Sequence, residues 1–170
     1  MLTLTSFVKM SKSNFLNGLF LVILCCACGC GSNSLYENVC DIQKGEWQKN
    51  QLVKFDVAVG DTINGYNLYF EIRNVNDYPY SNLFLFVTTT SPNKAIRKDT
   101  LEITLADENG KWLGHGLGGI RSNEILDKKY SNIRFPVAGY YKFEIAQGMR
   151  DDVLKGIIDV GLKIKKVKYK

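Results

Sequence analysis

Histidine is nearly absent from this sequence, which has 170 residues and a single one, His115. A Ser-His-Asp hydrolase needs a histidine beside a serine held on a tight turn, and no Gly-x-Ser-x-Gly motif is present. A cysteine and histidine metal site needs three or four such ligands, and after residue 30 only Cys40 could join His115. We therefore expect no catalytic residues and no metal ligands, and we expect His115 to be a surface residue of its glycine-rich loop.

Carboxylate pairs and phosphate-binding loops are also missing in a usable form. Asp107-Glu108 and Asp151-Asp152 are adjacent pairs, so on a strand the two side chains of each pair point to opposite faces. The glycines of "GKWLGHGLGG" (110–119) lack the lysine position and the strand-to-helix context of a phosphate loop. A small hydrolase that uses His115 or two carboxylates is kept only as an alternative to a non-enzymatic function.

No hydrophobic run reaches the length of about 20 residues that a transmembrane helix needs. The apolar stretch "FLNGLFLVIL" (15–24) is interrupted by an asparagine and a glycine. It follows a segment that contains Lys9, Lys12 and no acid, and it leads into small residues. This order of basic, apolar and small segments is typical of a secretory signal peptide, which we assign to residues 1–29.

Four of the five cysteines lie directly behind that run. An apolar residue, two small residues and a cysteine resemble the lipobox of bacterial lipoproteins, in which the cysteine is acylated and becomes the N-terminus. "ACGC", ending at Cys30, fits best because the polar "GSNS" follows, and "CCAC", ending at Cys28, is the alternative. Covalent diacylglycerol and an N-linked acyl chain such as palmitate then anchor the protein stably, and no other cofactor is expected. Residues 30–46 form the predicted lipidated tether.

Charge is close to balanced in the mature chain. The formal net charge is +5, and removal of residues 1–29 with their two lysines lowers it to +3. Five lysines lie in the tail "LKIKKVKYK" (162–170), which leaves −2 on the rest. Nucleic acid is excluded as a partner, since its binding needs basic residues spread among aromatics. We predict that the tail is a terminal strand with Leu162 and Ile164 inward, whose lysines protect a sheet edge. Attraction to anionic lipid headgroups is the alternative.

Short strands are predicted along the whole sequence after Trp47, because apolar and polar residues alternate with a period of two. Residues 82–90 are instead apolar on both faces. The predicted strands are 52–59, 66–73, 82–90, 99–107, "KWLG" (111–114) after the Asn109-Gly110 turn, 132–137, 139–146 and 157–167. Only "DDVLKGI" (151–157) is compatible with a short helix. The sequence therefore predicts one all-β domain over residues 47–170, a two-sheet antiparallel β-sandwich of jelly-roll or immunoglobulin-like type.

Three stretches that combine unusual turns with large side chains carry a more specific signal. They are "NDYPYSNLFLF" (76–86), "GKWLGHGLGG" (110–119) and "QGMRDDVLKGIIDVG" (147–161). Together with "DTLEITLADENGKWLGHG" and "GYYKFEIAQGMR" they resemble the gliding-motility lipoprotein family GldH, in order and spacing, over nearly the whole mature chain. In that family a short polar tether and an aromatic-acid pair, here Tyr36-Glu37, follow the lipidated cysteine, which favours Cys30.

The resemblance implies an envelope lipoprotein of Gram-negative gliding bacteria and their non-motile relatives, required for gliding, linked to type IX protein secretion and without enzymatic activity. The implied partners are other envelope proteins of that machinery. The membrane is reached through the lipid anchor, and the expected location is the outer membrane, facing the periplasm.

Four residues are the candidate partner contacts: Tyr78, Tyr80, Trp112 and Arg150. Aromatic residues and arginine concentrate binding energy at interfaces, so we expect these side chains to form a contact surface for another envelope component. The alternative is that Tyr80 and Trp112 close the ends of the sandwich while Arg150 pairs with Asp77 or Asp151. A carbohydrate-binding β-sandwich lipoprotein, which also uses exposed Trp and Tyr, is the alternative function.

Overall fold

The structure, a computed structural model, describes residues 34–168, which form ten β-strands and two 3-10 turns. The strands are β1 (Ser34–Asp41), β2 (Glu46–Gln48), β3 (Val53–Val59), β4 (Tyr66–Val75), β5 (Asn82–Thr90), β6 (Ile96–Thr104), β7 (Ile120–Ile125), β8 (Gly139–Gln147), β9 (Val153–Lys155) and β10 (Ile157–Lys166). The 3-10 turns are Gln43–Gly45 and Lys128–Tyr130. Within the described residues no helix has the length and apolar character needed to cross a membrane. The predicted signal peptide, Cys28 and Cys30 lie outside them.

Eight strands form two antiparallel sheets of four strands each. Sheet I has the order β1-β10-β4-β7, sheet II has the order β3-β8-β5-β6, and β2 and β9 form a separate ribbon. The pairs β1–β10, β3–β8, β4–β7 and β5–β6 are those of one long antiparallel hairpin that has been rolled up. This is the strand order of a jelly roll. The predicted all-β sandwich is confirmed, and of the two types considered it is the jelly roll that forms.

Alternation of apolar and polar residues turns one face of each sheet toward the core. In β3 every second residue is buried and every intervening one is exposed. Aromatic rings fill much of the interior, and the largest fully buried ones are Trp47, Phe55, Phe70, Tyr130 and Phe143. Complete burial of one such side chain stabilises the fold by roughly 1.5–3 kcal/mol, so a core of this size needs no disulfide.

Five predicted strands are confirmed with ends within two residues of those observed: 52–59, 66–73, 82–90, 139–146 and 157–167. The strand predicted at 99–107 is displaced, since β6 ends at Thr104. Leu105 and Ala106 leave the ladder because their N–H groups both donate to the carbonyl of Ser81, at 2.7 and 3.0 Å.

Three other local predictions are wrong. Residues 132–137 make only one bridge, between Ile133 and Tyr66, and "KWLG" makes only the bridge from Trp112 to Ala106. The predicted short helix at 151–157 is instead β9 and the start of β10. β9 pairs with β2, which lies about 100 residues earlier in the chain, and Leu154 is completely buried there. The local sequence around residues 151–157 does not reveal this distant partner.

The folded domain begins before the predicted boundary at Trp47. β1 lies within residues 30–46, which were assigned to the tether, and it pairs with β10 from Ser34 opposite Lys165 to Asp41 opposite Asp159. Its side chains are partly buried or exposed, so the alternation that identifies a strand is weak. Cys40 lies in β1 as a free, partly buried thiol that packs against the core.

The lysine-rich tail is a strand, as predicted, with Leu162 and Ile164 fully buried. The prediction that it protects a sheet edge is wrong, because β10 lies between β1 and β4 in the middle of sheet I. Its lysines instead neutralise acids on the neighbouring strands: the Nζ atom of Lys163 lies 3.0 Å from Glu37 and 3.3 Å from both Glu71 and Glu124.

Candidate functional site

Antiparallel pairing assigns every connection to one of two ends of the sandwich. The near end, where the described chain begins at Ser34, consists of residues 60–65, 91–95, 126–138 and 167–168. The far end consists of residues 42–52, which include β2, and of residues 76–81, 105–119 and 148–152. Tyr66 lies opposite Lys166 at the near end, whereas Val75 lies opposite Ile120 at the far end. All four candidate contact residues belong to the far end.

Tyr78 lies in the core rather than on the surface. Its side chain is 4% exposed, and its hydroxyl donates to the carbonyl of Asn82 at 3.0 Å. Burial raises the pKa of the Tyr78 phenol above its usual range, with the neighbouring Tyr80 adding to the effect. Its ring centroid lies 5.8 Å from that of Tyr80 and 6.4 Å from that of Trp112. Tyr78 is thus the ring on which the two other aromatic candidates pack.

Tyr80 and Trp112 are each partly buried and rest against the core. The Tyr80 hydroxyl donates to a carboxylate oxygen of Asp151 at 2.7 Å, and this hydrogen bond raises the pKa of the phenol. Trp112 follows a tight turn in which a side-chain oxygen of Asp107 accepts from the N–H groups of Asn109 and Lys111, both at 2.9 Å. Both side chains are therefore partly accessible to solvent at the far end.

Arg150 is exposed and makes no ion pair within residues 34–168. The predicted alternative pairing with Asp77 or Asp151 is not formed, and Asp151 is bonded to Tyr80 instead. The backbone carbonyl of Arg150 accepts from the Nζ atom of Lys49 at 3.3 Å, which fixes the loop but leaves the guanidinium available.

A groove of about 520 Å³ on the outer face of sheet II brings Tyr80 and Arg150 together with side chains that the sequence analysis did not select. Phe84, Phe86 and Met149 line it, with Thr100 and Gly148. Phe86 is 49% exposed although it belongs to a strand. The signal was present in the sequence: β5 is apolar on both faces, and in a two-sheet sandwich only one face can point to the core.

The groove is rigid because its floor is tied to a buried glutamine. Gln147, 1% exposed, accepts from the N–H of Met149 at 2.8 Å and donates to the carbonyl of Asp151 at 2.7 Å. A side chain at Gly148 would come within 3.1 to 3.2 Å of Phe84 and Phe86, so glycine is what keeps the groove open. The site therefore offers a preformed apolar slot with one cation at its rim.

The outer face of sheet I is polar and carries a cluster of titratable groups. A depression of about 390 Å³ is lined by Glu71, Arg73, His115, Glu124 and Asp159, among others. Arg73 pairs with the buried Asp159, and this carboxylate raises the pKa of the guanidinium. Burial acts to raise the pKa of Glu124, but its pairing with lysines outweighs that and lowers it.

These charges are paired with one another. Glu71 and Glu124 face each other across β4 and β7, and Lys163 lies between them, with a pKa raised first by its hydrogen bond to Glu37. His115 is exposed, and its backbone bridges Ser122. Among the described residues no group of three or more His, Cys, Asp or Glu side chains could hold a metal ion.

Comparison with known proteins connects this domain to one family. The profile described as GldH lipoprotein matches residues 34–164, nearly the whole described sandwich. The chain is 36% identical over 162 residues to the gliding motility lipoprotein GldH homolog of Christiangramia forsetii, covering 91% of this chain and 98% of that protein. It is 35% identical over 125 residues to the gliding motility lipoprotein GldH of Flavobacterium johnsoniae, covering 69% of this chain and 76% of that protein.

Solved structures give only weak likenesses. A family GH115 4-O-methyl-alpha-glucuronidase with specificity for decorated arabinogalactans matches with 12% identity and a TM-score of 0.39, covering 81% of this chain and 17% of that chain. Infectious bursal disease virus matches with 12% identity and a TM-score of 0.27, covering 77% and 32%. At these scores neither likeness carries an argument.

Proposed function

We propose that this chain, which belongs to the GldH lipoprotein family, is a membrane-anchored envelope protein that acts in gliding motility by assembling with other proteins, without catalysis. The curated relatives are named gliding motility lipoproteins, which supports a lipoprotein role in gliding. The finer assignment to a machinery that gliding shares with type IX secretion rests on the resemblance in sequence.

The far-end groove is the single observation that supports assembly. Phe84, Phe86 and Met149 offer an apolar slot, and Arg150 lies at its rim without an ionic partner among the residues that the structure describes. An apolar side chain of a partner would fill the slot while a carboxylate of the same partner bonds to the guanidinium, an arrangement typical of binding hot spots. Tyr80 and Trp112 then act beside the slot, and Tyr78 supports them from the core.

Anchoring is assigned to Cys30, with Cys28 as the alternative register. Diacylglycerol on the thiol and an acyl chain on the new N-terminus would hold the protein in the membrane, since two chains anchor stably where one does not. We place the protein at the outer membrane, facing the periplasm. Fatty-acid labelling that is lost in Cys30→Ala supports this register, and loss in Cys28→Ala alone would move it by two residues.

The assembly proposal is tested by crosslinking envelopes of cells that express the acylated protein and identifying what co-purifies. We expect Phe86→Ala and Arg150→Ala each to weaken capture of the same partner by about tenfold or more. Phe86 would lose an apolar contact, and complete burial of such a side chain contributes roughly 1.5–3 kcal/mol. Arg150 would lose a charge-assisted hydrogen bond, which contributes roughly 1.5–3 kcal/mol. Val39→Ala is the matched control, because Val39 is 43% exposed but lies on sheet I. Equal capture by all three variants, or normal spreading and secretion in a deletion strain, would refute the proposal.

A carbohydrate-binding function predicts a different result. Such modules stack sugars on fully exposed rings, whereas Trp112 is partly buried and Tyr78 lies in the core. Retention on insoluble polysaccharide that is lost in Trp112→Ala would favour the carbohydrate module over assembly.

A further inference from the structure

Three of the most exposed apolar side chains lie at or next to the near end. Ile63, Ile96 and Tyr140 are 79%, 64% and 73% exposed. Ile63 lies in the turn before β4, Ile96 is the first residue of β6, and Tyr140 is the second residue of β8. A turn and two strands thus present apolar or aromatic side chains at the same end. Most of the surface of each of these side chains is exposed to solvent.

The near-end loops are connected to one another and to the sheets by ring contacts and hydrogen bonds. The rings of Tyr66, Phe135 and Tyr141 form a row across the two sheets, with centroid distances of 5.5 and 4.8 Å. The N–H of Val167 donates to the carbonyl of Gly65 at 2.8 Å, which ties the end of the tail to the 60–65 turn. Residues exposed here keep fixed positions relative to one another.

Cations dominate this surface. Lys94, Arg134 and Lys168 are exposed and make no ion pair within residues 34–168. Lys94 sits at the tip of its turn with a φ of 69°, held by the hydrogen bonds of Ser91 around it. Two acids of this end already have partners: Asp61 is bonded to Lys166 at 2.9 Å, and Asp127 accepts from the backbone N–H of Lys129 at 2.8 Å.

The chain leading to the candidate anchor is short. Cys30 precedes Ser34 by four residues, and four extended residues reach at most about 14 Å. The range of electrostatic attraction at physiological salt is about 8 Å. A tether of at most about 14 Å is longer than this range, but it is short enough that an acylated Cys30 keeps the near end beside the membrane, where its cations can approach the headgroup charges to within about 8 Å.

We propose that the near end binds the headgroup layer of a bilayer that contains anionic phospholipid, with Ile63, Ile96 and Tyr140 at the interface and Lys94, Arg134 and Lys168 facing the phosphates. Aromatic and apolar side chains flanked by cations are what a membrane interface selects. The far-end groove then points away from the membrane. This inference rests on the proposed lipid anchor and adds a fixed orientation to it.

The test uses the full acylated protein in phosphatidylcholine vesicles with and without phosphatidylglycerol, followed by amide hydrogen exchange. We expect exchange in residues 60–65 and 91–95 to slow only when phosphatidylglycerol is present, while residues 76–81 are unchanged. Protein that does not remain on the vesicles at all would refute the anchor itself. Anchored protein without this protection, or with equal protection at both ends, would refute the orientation alone.

Charge variants further distinguish lipid anchoring from contact of the near end with the headgroups. Lys94→Gln with Arg134→Gln should abolish the protection while the protein stays anchored, since each cation near an anionic surface contributes about fivefold to binding. Lys111→Gln with Lys49→Gln removes two far-end lysines and should leave the protection intact. Loss of protection in both double variants would contradict a specific near-end surface.

Discussion

The near and far ends of this sandwich are built from the same sheets but present different chemistry. At the near end, exposed Ile63 and Tyr140 accompany Lys94, Arg134 and Lys168, which make no ion pair within the described part of the chain, and a short tether leads toward the candidate anchor. At the far end, a preformed groove lined by Phe84 and Phe86 has a single arginine at its rim. A jelly roll returns alternate connections to opposite ends, so one short domain can serve two partners of different kinds.

The far-end groove and the near end also differ in the interior residues that fix their backbone. Buried Gln147 fixes the backbone around the groove through its side-chain amide, whereas a row of aromatic rings closes the near end. Each end is therefore supported by its own interior residues, and single substitutions can weaken one end without the other.

The largest expected effect is a difference in folding stability between alanine variants of the two far-end tryptophans, Trp47 and Trp112. Trp47 is fully buried and its indole N–H donates to the carbonyl of Gln51 at 3.0 Å. Trp47→Ala should lower the free energy of unfolding by about 3–5 kcal/mol, measured by urea unfolding followed by circular dichroism. Trp112→Ala, at a partly buried position, should cost clearly less. A larger loss in Trp112→Ala would mean that Trp112 supports the fold rather than the surface.

The second effect concerns the charges of sheet I, away from both ends. Lys163→Met removes the cation shared by Glu37, Glu71 and Glu124 and leaves only Lys165 beside Glu124, which should cost about 1–3 kcal/mol at pH 7. The lowered pKa of Glu124 means that its pairing stabilises the fold above the ordinary glutamate pKa of about 4.3 and is lost as pH falls. The variant should therefore differ most from the parent at neutral pH and least at acidic pH. Lys168→Met, at an exposed lysine, is the control, and an equal loss there would contradict the account.

The third effect tests the buried tyrosine of the far end. Burial raises the pKa of Tyr78, so the folded state favours the protonated phenol. The contribution of this phenol to the free energy of unfolding is complete below the ordinary tyrosine pKa of about 10 and is lost as pH rises further. Tyr78→Phe should cost about 1 kcal/mol at pH 7 and reduce the loss of stability above pH 10. Tyr140→Phe, at the exposed near-end position, should change neither quantity, and an effect of similar size there would contradict this reasoning.

The smallest effect concerns the groove itself. Gly148→Ala places a methyl group 3.1 to 3.2 Å from Phe84 and Phe86, so we expect a change in stability within about 1 kcal/mol and a narrower groove. Gly60→Ala is the control, because a methyl group there meets nothing within 4 Å. Partner capture should fall in Gly148→Ala and not in Gly60→Ala; unchanged capture in both would remove the groove from the interface.

Much of the fold could be predicted from the sequence because strands with one buried face carry a period of two. β3, β4, β8 and β10 follow that rule and were found, and β5 was found although its sequence is apolar on both faces. β1, β2, β7 and β9 were not found. β1 and β7 have no buried residue, and the short strands β2 and β9 depend on pairing with each other across about 100 residues. Tyr80 and Arg150 were selected from the sequence by residue type. Phe84 and Phe86 could be recognised as surface residues only once β5 was placed in sheet II, because this placement shows which face of the strand points away from the core.

The account makes one central claim, that the near end contacts lipid and the far end contacts protein. Photoreactive phenylalanine placed at Ile63 or at Phe86 in the full acylated protein tests it directly in living cells. We predict lipid adducts without protein from position 63 and a discrete protein adduct from position 86. Protein adducts from position 63, lipid adducts from position 86, or the same products from both positions would contradict the claim.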